Sequence, residues 1–523
     1  MTSTKNSSET GSDLLKGFST FLRLQVLTRI FTFVFNLFII RKLRPEDNGL
    51  SVQFHLITTT VLFLSREGFR RGCLRAKPGT IKLSETAELE RVSGVSMLPV
   101  FLGGFLCALV CGTLVRRNER AGDDVYAQAV VLHVIAIFLE LMSEPFYIIA
   151  HVWLRFRRKL WVEGLATFSR CFVTAALLYS TEWRPEFCFS AAQISFGAIT
   201  FLGYGMLLPE IFSKAGGRIL EICLHFDPGV LQLSLSFLVQ SLVKLILTEG
   251  SNYVLVMVES QHSQGVFGVV TGLGSLVVRT IFQPIEEAAF LAFSRAGISR
   301  EDASGMRELN RLLTSLVRAV SLIGLLAAVF GPPHSTTLLR ILYSEKWSNT
   351  EAPTVLGWYC AYILLLAVNG VTEAFVHAVL DARSLFSSNA WMVGVAIVHM
   401  SASAMLSLKF GSVGLILADG VGMCLRIAFS MWCIRNHFPK HVVNFTHIFP
   451  SLRTLLALAA ACWISWFIHF SLLVADMEFL PSACIEIATA LLSASGVLFV
   501  MYKSERAAWE MVLTSKSSVK KEE

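Results

Sequence analysis

The chain alternates from end to end between long apolar runs and short polar connections. Each run has about 20 residues, the length that a helix needs to cross roughly 30 Å of hydrocarbon. No connection is long enough to form a soluble domain. The pattern predicts an all-α polytopic membrane protein with about fourteen transmembrane helices, at 16–40, 47–65, 92–115, 126–150, 160–180, 187–209, 229–258, 264–294, 308–331, 353–380, 385–408, 411–434, 451–474 and 478–502.

The first twelve predicted helices divide into two similar sets of six. Sliding the chain by about 216 residues aligns Asn36 with Asn252, and a polar turn containing glycine recurs at the same offset. Because this offset covers an even number of helices, the repeat axis runs along the membrane normal. We expect two pseudo-symmetric six-helix lobes around a central cavity, in 1–225 and 226–440, followed by two extra helices and a cytosolic tail in 441–523.

Composition agrees with a membrane protein. Of the 523 residues, 54% are hydrophobic and only 16% are charged, whereas soluble proteins carry about 25% charged residues. The net charge of +7 lies in the loops, where it reports orientation and contact with membrane lipids rather than binding of nucleic acid. The cysteines are scattered and the histidines form no cluster with ligand spacing, so we predict no metal and no cofactor.

The basic residues of the loops predict the orientation. Loops on the side of the termini hold roughly 21 Lys and Arg and the opposite loops roughly 10, which places both termini in the cytosol. Lys520 and Lys521, fourth and third from the carboxyl end, resemble the dilysine retrieval signal of endoplasmic-reticulum membrane proteins. The alternative is that they only make the tail soluble.

The segment Ser65–Arg71 places four charges directly after an apolar run. Arginines at such a boundary commonly anchor a cytosolic helix end, which we favour for Arg70 and Arg71. Arg66 lies nearest the apolar run, so we favour an inward orientation in which its planar guanidinium binds a phosphate. Glu67 is expected beside it in the cavity.

Charged residues within the other spans point to the cavity, because an ionisable group in hydrocarbon is costly. Arg29 and Asn36 are seven residues apart and share one helix face, so both are expected to line the cavity. Glu249 follows Lys244 by five residues. It is either the counter-ion of this lysine or a proton or cation site that couples transport.

The eighth and twelfth spans carry further candidates. Pro284 predicts a bend, and Arg279 and Glu286 on either side of it are expected to face the cavity or a neighbouring helix. Arg426 lies near the middle of its span, seven residues after Asp419. An arginine at this depth is expected to bind a phosphate or a counter-ion.

The chain resembles the eukaryotic dolichol-linked oligosaccharide translocation family of the multidrug/oligosaccharidyl-lipid/polysaccharide exporter superfamily. The resemblance rests on Arg44–Glu46 with Gly49, on Leu64–Arg71 and on Ile281–Glu287. It implies two six-helix lobes, two extra C-terminal helices, alternating access and the endoplasmic-reticulum membrane. The superfamily's bacterial flippases hold a diphosphate with arginines of their first two helices, and Arg29 and Arg66 match these positions. Asn36 stands where those flippases tend to have another arginine.

The resulting hypothesis is a flippase for the dolichol diphosphate-linked heptasaccharide of N-glycosylation, moving it from the cytosolic to the lumenal leaflet, and not an enzyme. The diphosphate is expected to pair with Arg29, Arg66 and Arg426. Other N-glycosylation proteins are further candidate partners. The alternatives are a multi-span glycosyltransferase that uses the acid pairs Glu46-Asp47 and Asp123-Asp124, and a non-transporting accessory factor.

Overall fold

A computed structural model describes residues 31–75, 85–121, 124–153, 155–215, 218–296, 303–379, 382–438, 449–475 and 477–505. Within these ranges the regular structure is entirely helical. Residues 31–42 form α1, and the later helices are α2 (Pro45–Arg75), α3 (Glu85–Ala121), α4 (Asp124–Leu141), α5 (Glu144–Val152), α6 (Phe156–Ser180), α7 (Pro185–Gly205), α8 (Leu208–Ala215), α9 (Ile219–Leu224), α10 (Pro228–Val258), α11 (Gln261–Val277), a π-helical turn (Val278–Phe282), α12 (Gln283–Ala296), α13 (Ala303–Tyr343), α14 (Glu345–Ser348), α15 (Ala352–Val379), α16 (Ala382–His437), α17 (Leu452–Val474) and α18 (Phe479–Ser504).

The all-helical polytopic fold predicted from the sequence is confirmed, while its count of fourteen spans is approximate. Among the described residues, 11 helices are long and apolar enough to cross a membrane. One of them, α16, contains two spans, because Gly411 interrupts it with φ 58° and ψ −138°. The chain reverses there: His399 lies beside Asp419, and Gly414 packs against Leu406. Only glycine adopts this backbone conformation without strain.

The chain divides into two compact units, Met1–Glu249 and Gly250–Glu523. In unit 1, α7 packs on α4 and α6, and α3 packs on α2 and α4. In unit 2, α13 packs on α15, which also contacts α12 and α16. The helices α17 and α18 form a pair that packs on α13 within unit 2. The boundaries predicted from the sequence at 225/226 and 440/441 stay predictions.

Two local breaks shape the helices that carry the charged residues. Pro145 has no N–H to continue the helical ladder, so α4 ends at Leu141 and α5 begins at Glu144. Pro284 has the same effect in unit 2, where the turn Val278–Phe282 directly before it is π-helical. Turns of this kind inside α-helices frequently occur at functional sites.

The glycines of the Ser65–Arg71 region bring α2 close to α10. A Cβ added at Gly68 would lie 2.6 Å from the backbone nitrogen of Leu238, and one added at Gly72 would lie 2.7 Å from the Cα of Ser234. This small-residue pair at a spacing of four allows two helix backbones to approach closely. Part of the sequence motif therefore serves packing rather than chemistry.

Replacing Gly68 with Ala is expected to destabilise the protein by about 1–3 kcal/mol, because a methyl group would press against backbone that cannot rotate away. The measurement is the Tm of purified protein in detergent. Gly112→Ala on α3 is the matched control, since a Cβ there meets nothing within 4 Å and alanine favours a helix over glycine by about 1 kcal/mol. Equal Tm changes in both variants would contradict the close crossing of α2 and α10.

Candidate functional site

Two arginines of α2 meet two glutamates of α4 and α5 inside unit 1. Arg66 and Arg70 are one helical turn apart, as are Glu140 and Glu144, so each pair presents a short row of like charge. Arg66 Nη1 lies 2.7 Å from Glu140 Oε1 and 3.2 Å from Glu144 Oε1. The two arginines lie opposite the two glutamates, so the four charges sum to zero.

Arg70 has its hydrogen-bonding capacity largely used by this network. Its Nε and Nη2 donate to the two carboxylate oxygens of Glu144 at 2.7 and 2.5 Å, and its guanidinium lies 3.7 Å from the centroid of the Tyr147 ring. The Glu144 side chain is 0% exposed, and a buried carboxylate without a partner would be strongly destabilising. Arg70 thus acts as a structural counter-ion inside the unit.

Arg66 differs from Arg70 because part of its guanidinium is unused. Only Nη1 contacts a carboxylate, while Nε and Nη2 have no partner within the described ranges. Its side chain is 24% exposed. The two glutamates fix the plane of the guanidinium, and the remaining N–H groups keep the geometry that binds phosphate oxygens. Arg71, which the sequence also predicted to be an anchor, forms a partly exposed ion pair with Glu67. Its Nη2 lies 2.7 Å from Glu67 Oε1.

A second ion-pair cluster, in unit 2, contains Arg426. Its Nη2 donates to Glu373 Oε2 at 2.6 Å, and Asn369 Nδ2 donates to the same oxygen at 2.8 Å. The Nε of Arg426 is buried and has no partner among the residues that the structure describes. Glu286 is close enough to both charged groups to interact with them electrostatically, and its carboxylate lies against Gly370.

Asp419 does not join Arg426 in this cluster. It accepts a hydrogen bond from Ser251 Oγ at 2.6 Å, and it lies 2.8 Å from His399 Nε2. All three side chains belong to unit 2. The seven-residue spacing of Asp419 and Arg426 on α16 therefore separates two polar clusters instead of forming one.

The other candidates from the sequence are distributed through both units. Arg29, Lys520 and Lys521 lie outside the described residues. Glu249 is half-buried on α10, and Lys244 lies 5.6 Å from the centroid of the Phe63 ring. Arg279 lies in the π-helical turn. Glu67, expected beside Arg66 in the cavity, pairs with Arg71 instead. The structure brings Arg426 and Glu286 close together in unit 2.

Asn36 lines a cavity of about 330 Å³ inside unit 1. The wall is formed by α1, α2, α4, α6 and α7, and it contains Thr32, Asn36, Ile39, Ser51, Phe54, His55, Thr58, His133, Arg170, Cys171, Thr174, Phe189, Ala192 and Gln193. Gln193 connects the cavity to the ion-pair network, because its Nε2 donates to Glu140 Oε2 at 3.0 Å. Hydrogen bonds from Gln193 and from Arg66 to Glu140 thus link the lining of the cavity to Arg66.

Sequence reasoning missed three residues of this region. Glu140, His133 and Arg170 lie within predicted spans, so the high cost of ionisable groups in hydrocarbon was a sufficient signal for each. The pairing of Glu144 with Arg70 was not visible in the sequence either, because the two residues are 74 positions apart.

Comparisons with known proteins agree with each other. A family model described as Rft protein matches residues 13–515. The chain is 30% identical over 496 residues to the Man(5)GlcNAc(2)-PP-dolichol translocation protein RFT1 of Dictyostelium discoideum, covering 86% of this chain and 90% of that protein. It is 31% identical over 447 residues to the protein of the same name from Mus musculus, covering 80% and 81%.

Two solved structures resemble the fold. The lipid II flippase MurJ in an inward closed conformation has a TM-score of 0.60 at 13% identity and covers 92% of this chain and 99% of its own. An inward-facing multidrug resistance MATE family transporter of the MOP superfamily has a TM-score of 0.55 at 13% identity, covering 78% and 97%. At this identity the likeness concerns the fold alone.

Proposed function

The chain belongs to the Rft protein family, and on that premise we propose that it moves the dolichol diphosphate-linked heptasaccharide from the cytosolic to the lumenal leaflet of the endoplasmic-reticulum membrane for N-glycosylation. The relatives named as translocation proteins cover most of the chain. Both termini lie in the cytosol in this proposal, as the excess of basic residues in the loops of that side favours. Other N-glycosylation proteins are further partners.

The observation that carries the proposal is the arrangement of Arg66. Two glutamates hold its guanidinium by one nitrogen, and its other N–H groups have no partner in the described part of the chain. An oxygen-rich dianion such as a diphosphate accepts such donors at short distance. Arg426 repeats this arrangement in unit 2 with Glu373, and Arg29 is proposed as a third diphosphate ligand by its place in the sequence.

Coupling residues complete the proposal. Asn36 and Glu67 accompany the diphosphate ligands on α1 and α2, and Arg279 and Glu286 accompany Arg426. Glu249 is the proposed site for a coupled proton or cation. The polar headgroup crosses in contact with these residues while the polyisoprenoid tail stays in lipid, since the hydrocarbon region solvates the tail and not the sugars.

We also propose that the protein is a transporter and not a glycosyltransferase. The acid pair Glu46-Asp47 lies at the start of α2, where the Asp47 carboxylate accepts a hydrogen bond from the backbone N–H of Arg44 at 3.2 Å. Such a contact stabilises the helix start. This gives Asp47 a structural role at a position where a transferase would need a catalytic acid.

A complementation experiment tests this proposal. In cells depleted of the endogenous relative, the chain is expected to restore N-glycan occupancy and to lower the accumulated heptasaccharide lipid. The variant carrying Glu46→Gln, Asp47→Asn, Asp123→Asn and Asp124→Asn is expected to retain at least half of this rescue, because a transporter needs no lumenal catalytic acid. Loss of rescue by a variant that is present in the membrane in normal amount would favour the transferase instead.

A further inference from the structure

The cavity of unit 1 is lined by a cation, Arg170, that pairs with no acid among the residues that the structure describes. Arg170 lies 13 residues into the membrane-spanning part of α6, which is roughly 20 Å along the helix axis. Its guanidinium has no carboxylate partner among the described residues, and its nearest aromatic ring is that of Phe196, 5.0 Å away. The lining of the cavity contains no Asp or Glu. A cation at this depth normally faces a water-filled cavity or pairs with an anion or a backbone carbonyl, so an anionic occupant of this cavity would stabilise the exposed Arg170 side chain.

The cavity also presents a buried hydrogen-bond acceptor. His133 is only 4% exposed, and its Nε2 lies 2.8 Å from Thr58 Oγ1. The single proton of the Thr58 hydroxyl is donated to the carbonyl oxygen of Phe54 at 2.9 Å, so the proton between Thr58 and His133 belongs to Nε2. The neutral ring then carries a lone pair on Nδ1, and this atom is buried without a partner in the described part of the chain.

A second acceptor comes from Gln193. Because its Nε2 donates to the Glu140 carboxylate at 3.0 Å, its amide oxygen is left for the cavity that it lines. Asn36 also lines the cavity, so its amide is a further polar group that an occupant can contact. The cavity therefore combines one positive charge with acceptors that require donors from the occupant.

We propose that this cavity is a subsite for a sugar phosphate ester, with the phosphate on Arg170 and sugar hydroxyls donating to His133 Nδ1 and to the Gln193 amide oxygen. A bare phosphate at neutral pH supplies few donors and would leave both acceptors unpaired, whereas a neutral sugar would leave Arg170 without an anion. The ring of Phe189, which also lines the cavity, supplies apolar surface for a pyranose face.

The volume of the cavity indicates which part of the glycolipid it can hold. A volume of about 330 Å³ is at the lower end of the range for small-ligand pockets, which fits one phosphorylated sugar and excludes a heptasaccharide. The assignment rests on the proposed function for its physiological ligand, the first sugar and diphosphate of the glycolipid. A chain of polar contacts also joins the cavity to Arg66, because Gln193 contacts Glu140, which binds Arg66.

The proposal is tested by calorimetry, which measures the affinity of purified full-length protein in detergent for N-acetylglucosamine 1-phosphate. Wild type and Arg116→Gln are expected to bind it equally, since Arg116 is an exposed arginine of α3 outside the cavity. Arg170→Gln is expected to weaken binding at least tenfold, and Arg170→Lys by less. Inorganic phosphate and free N-acetylglucosamine are each expected to bind at least tenfold more weakly than the ester.

Three results would overturn the proposal: no binding to wild type, equal binding to Arg170→Gln, or equal affinity for inorganic phosphate and the ester. Short-chain phosphatidylinositol, a lipid phosphate ester of a cyclic polyol, is the competitor that separates lipid sources, and tighter binding of it would overturn the glycolipid assignment. If Arg170→Gln does not fold, Asn36→Ala replaces it, with weaker binding of the ester expected and unchanged binding overturning the proposal.

Binding and translocation are separate readouts, so the two proposals fail separately. If wild-type protein binds the ester but does not move glycolipid, the result contradicts the proposed function, while the proposed subsite remains supported. If wild-type protein moves glycolipid but Arg170→Gln binds the ester normally, the result contradicts the proposed subsite, while the proposed function remains supported.

Discussion

Arg70→Ala is expected to remove most folded protein, with a loss of about 3–5 kcal/mol in the free energy of unfolding. The change leaves the Glu144 carboxylate buried and without its bidentate partner, and an unpaired buried charge costs about that much. Such a loss is a large part of the roughly 5–15 kcal/mol that stabilises a folded domain. The measurements are the Tm and the yield of monodisperse protein in detergent.

Arg71→Ala is the matched control for this substitution. Arg71 is one residue further along α2 and pairs only with Glu67, at 37% side-chain exposure, so its loss is expected to cost no more than about 1 kcal/mol. The double substitution Arg70→Met with Glu144→Leu removes both charges and should recover much of the stability. Equal losses for Arg70→Ala and Arg71→Ala would show that the buried pair does not stabilise the unit.

Arg66→Gln is expected to leave the protein folded and to slow glycolipid translocation by about 10- to 100-fold. A charge-assisted hydrogen bond contributes about 1.5–3 kcal/mol, and tenfold corresponds to about 1.4 kcal/mol. Glutamine keeps a donor toward Glu140, and Arg70 still neutralises Glu144, so the fold is retained. The rate is measured on reconstituted protein, with Arg71→Gln as the control of equal charge change.

Arg426→Gln extends this test to unit 2. Its pairing with Glu373 at 2.6 Å resembles that of Arg66 with Glu140, and a similar reduction in rate is expected if both arginines bind the diphosphate. Normal translocation by both variants would contradict the diphosphate role, whereas loss of folded protein would assign them the structural role of Arg70.

The apolar runs predicted the fold well because span length follows directly from the thickness of the hydrocarbon layer. The reversal at Gly411 agrees with the predicted break between the spans 385–408 and 411–434, because the backbone there is not helical. An irregular helix near Pro284 was also expected, since proline lacks the N–H of a helical ladder; the turn Val278–Phe282 before it is π-helical, while the predicted bend stays a prediction. These features depend on local sequence alone.

The partners of the charged residues were much harder to predict. The sequence separated an inward Arg66 from an anchoring Arg70, whereas the structure pairs both with Glu144, so the anchor prediction for Arg70 is wrong. Nothing in the local sequence indicates that Glu140 and Glu144, 74 and 78 residues further along, lie opposite Arg66. Pairing of this kind depends on helix register, which packing such as the Gly68 contact with Leu238 determines. Arg170 was also missed, although an arginine in the middle of a predicted span is itself an indication of a functional residue.

Leaflet exchange by the purified protein is the most direct test of the central claim. Liposomes contain authentic dolichol diphosphate-linked heptasaccharide, and a lectin or glycosidase added outside measures the glycolipid of the outer leaflet. The account predicts that wild-type protein exposes nearly all of the glycolipid, while protein-free liposomes and the Arg66→Gln variant expose about half over the same time. Equal exposure with and without wild-type protein would contradict a flippase and favour an accessory role.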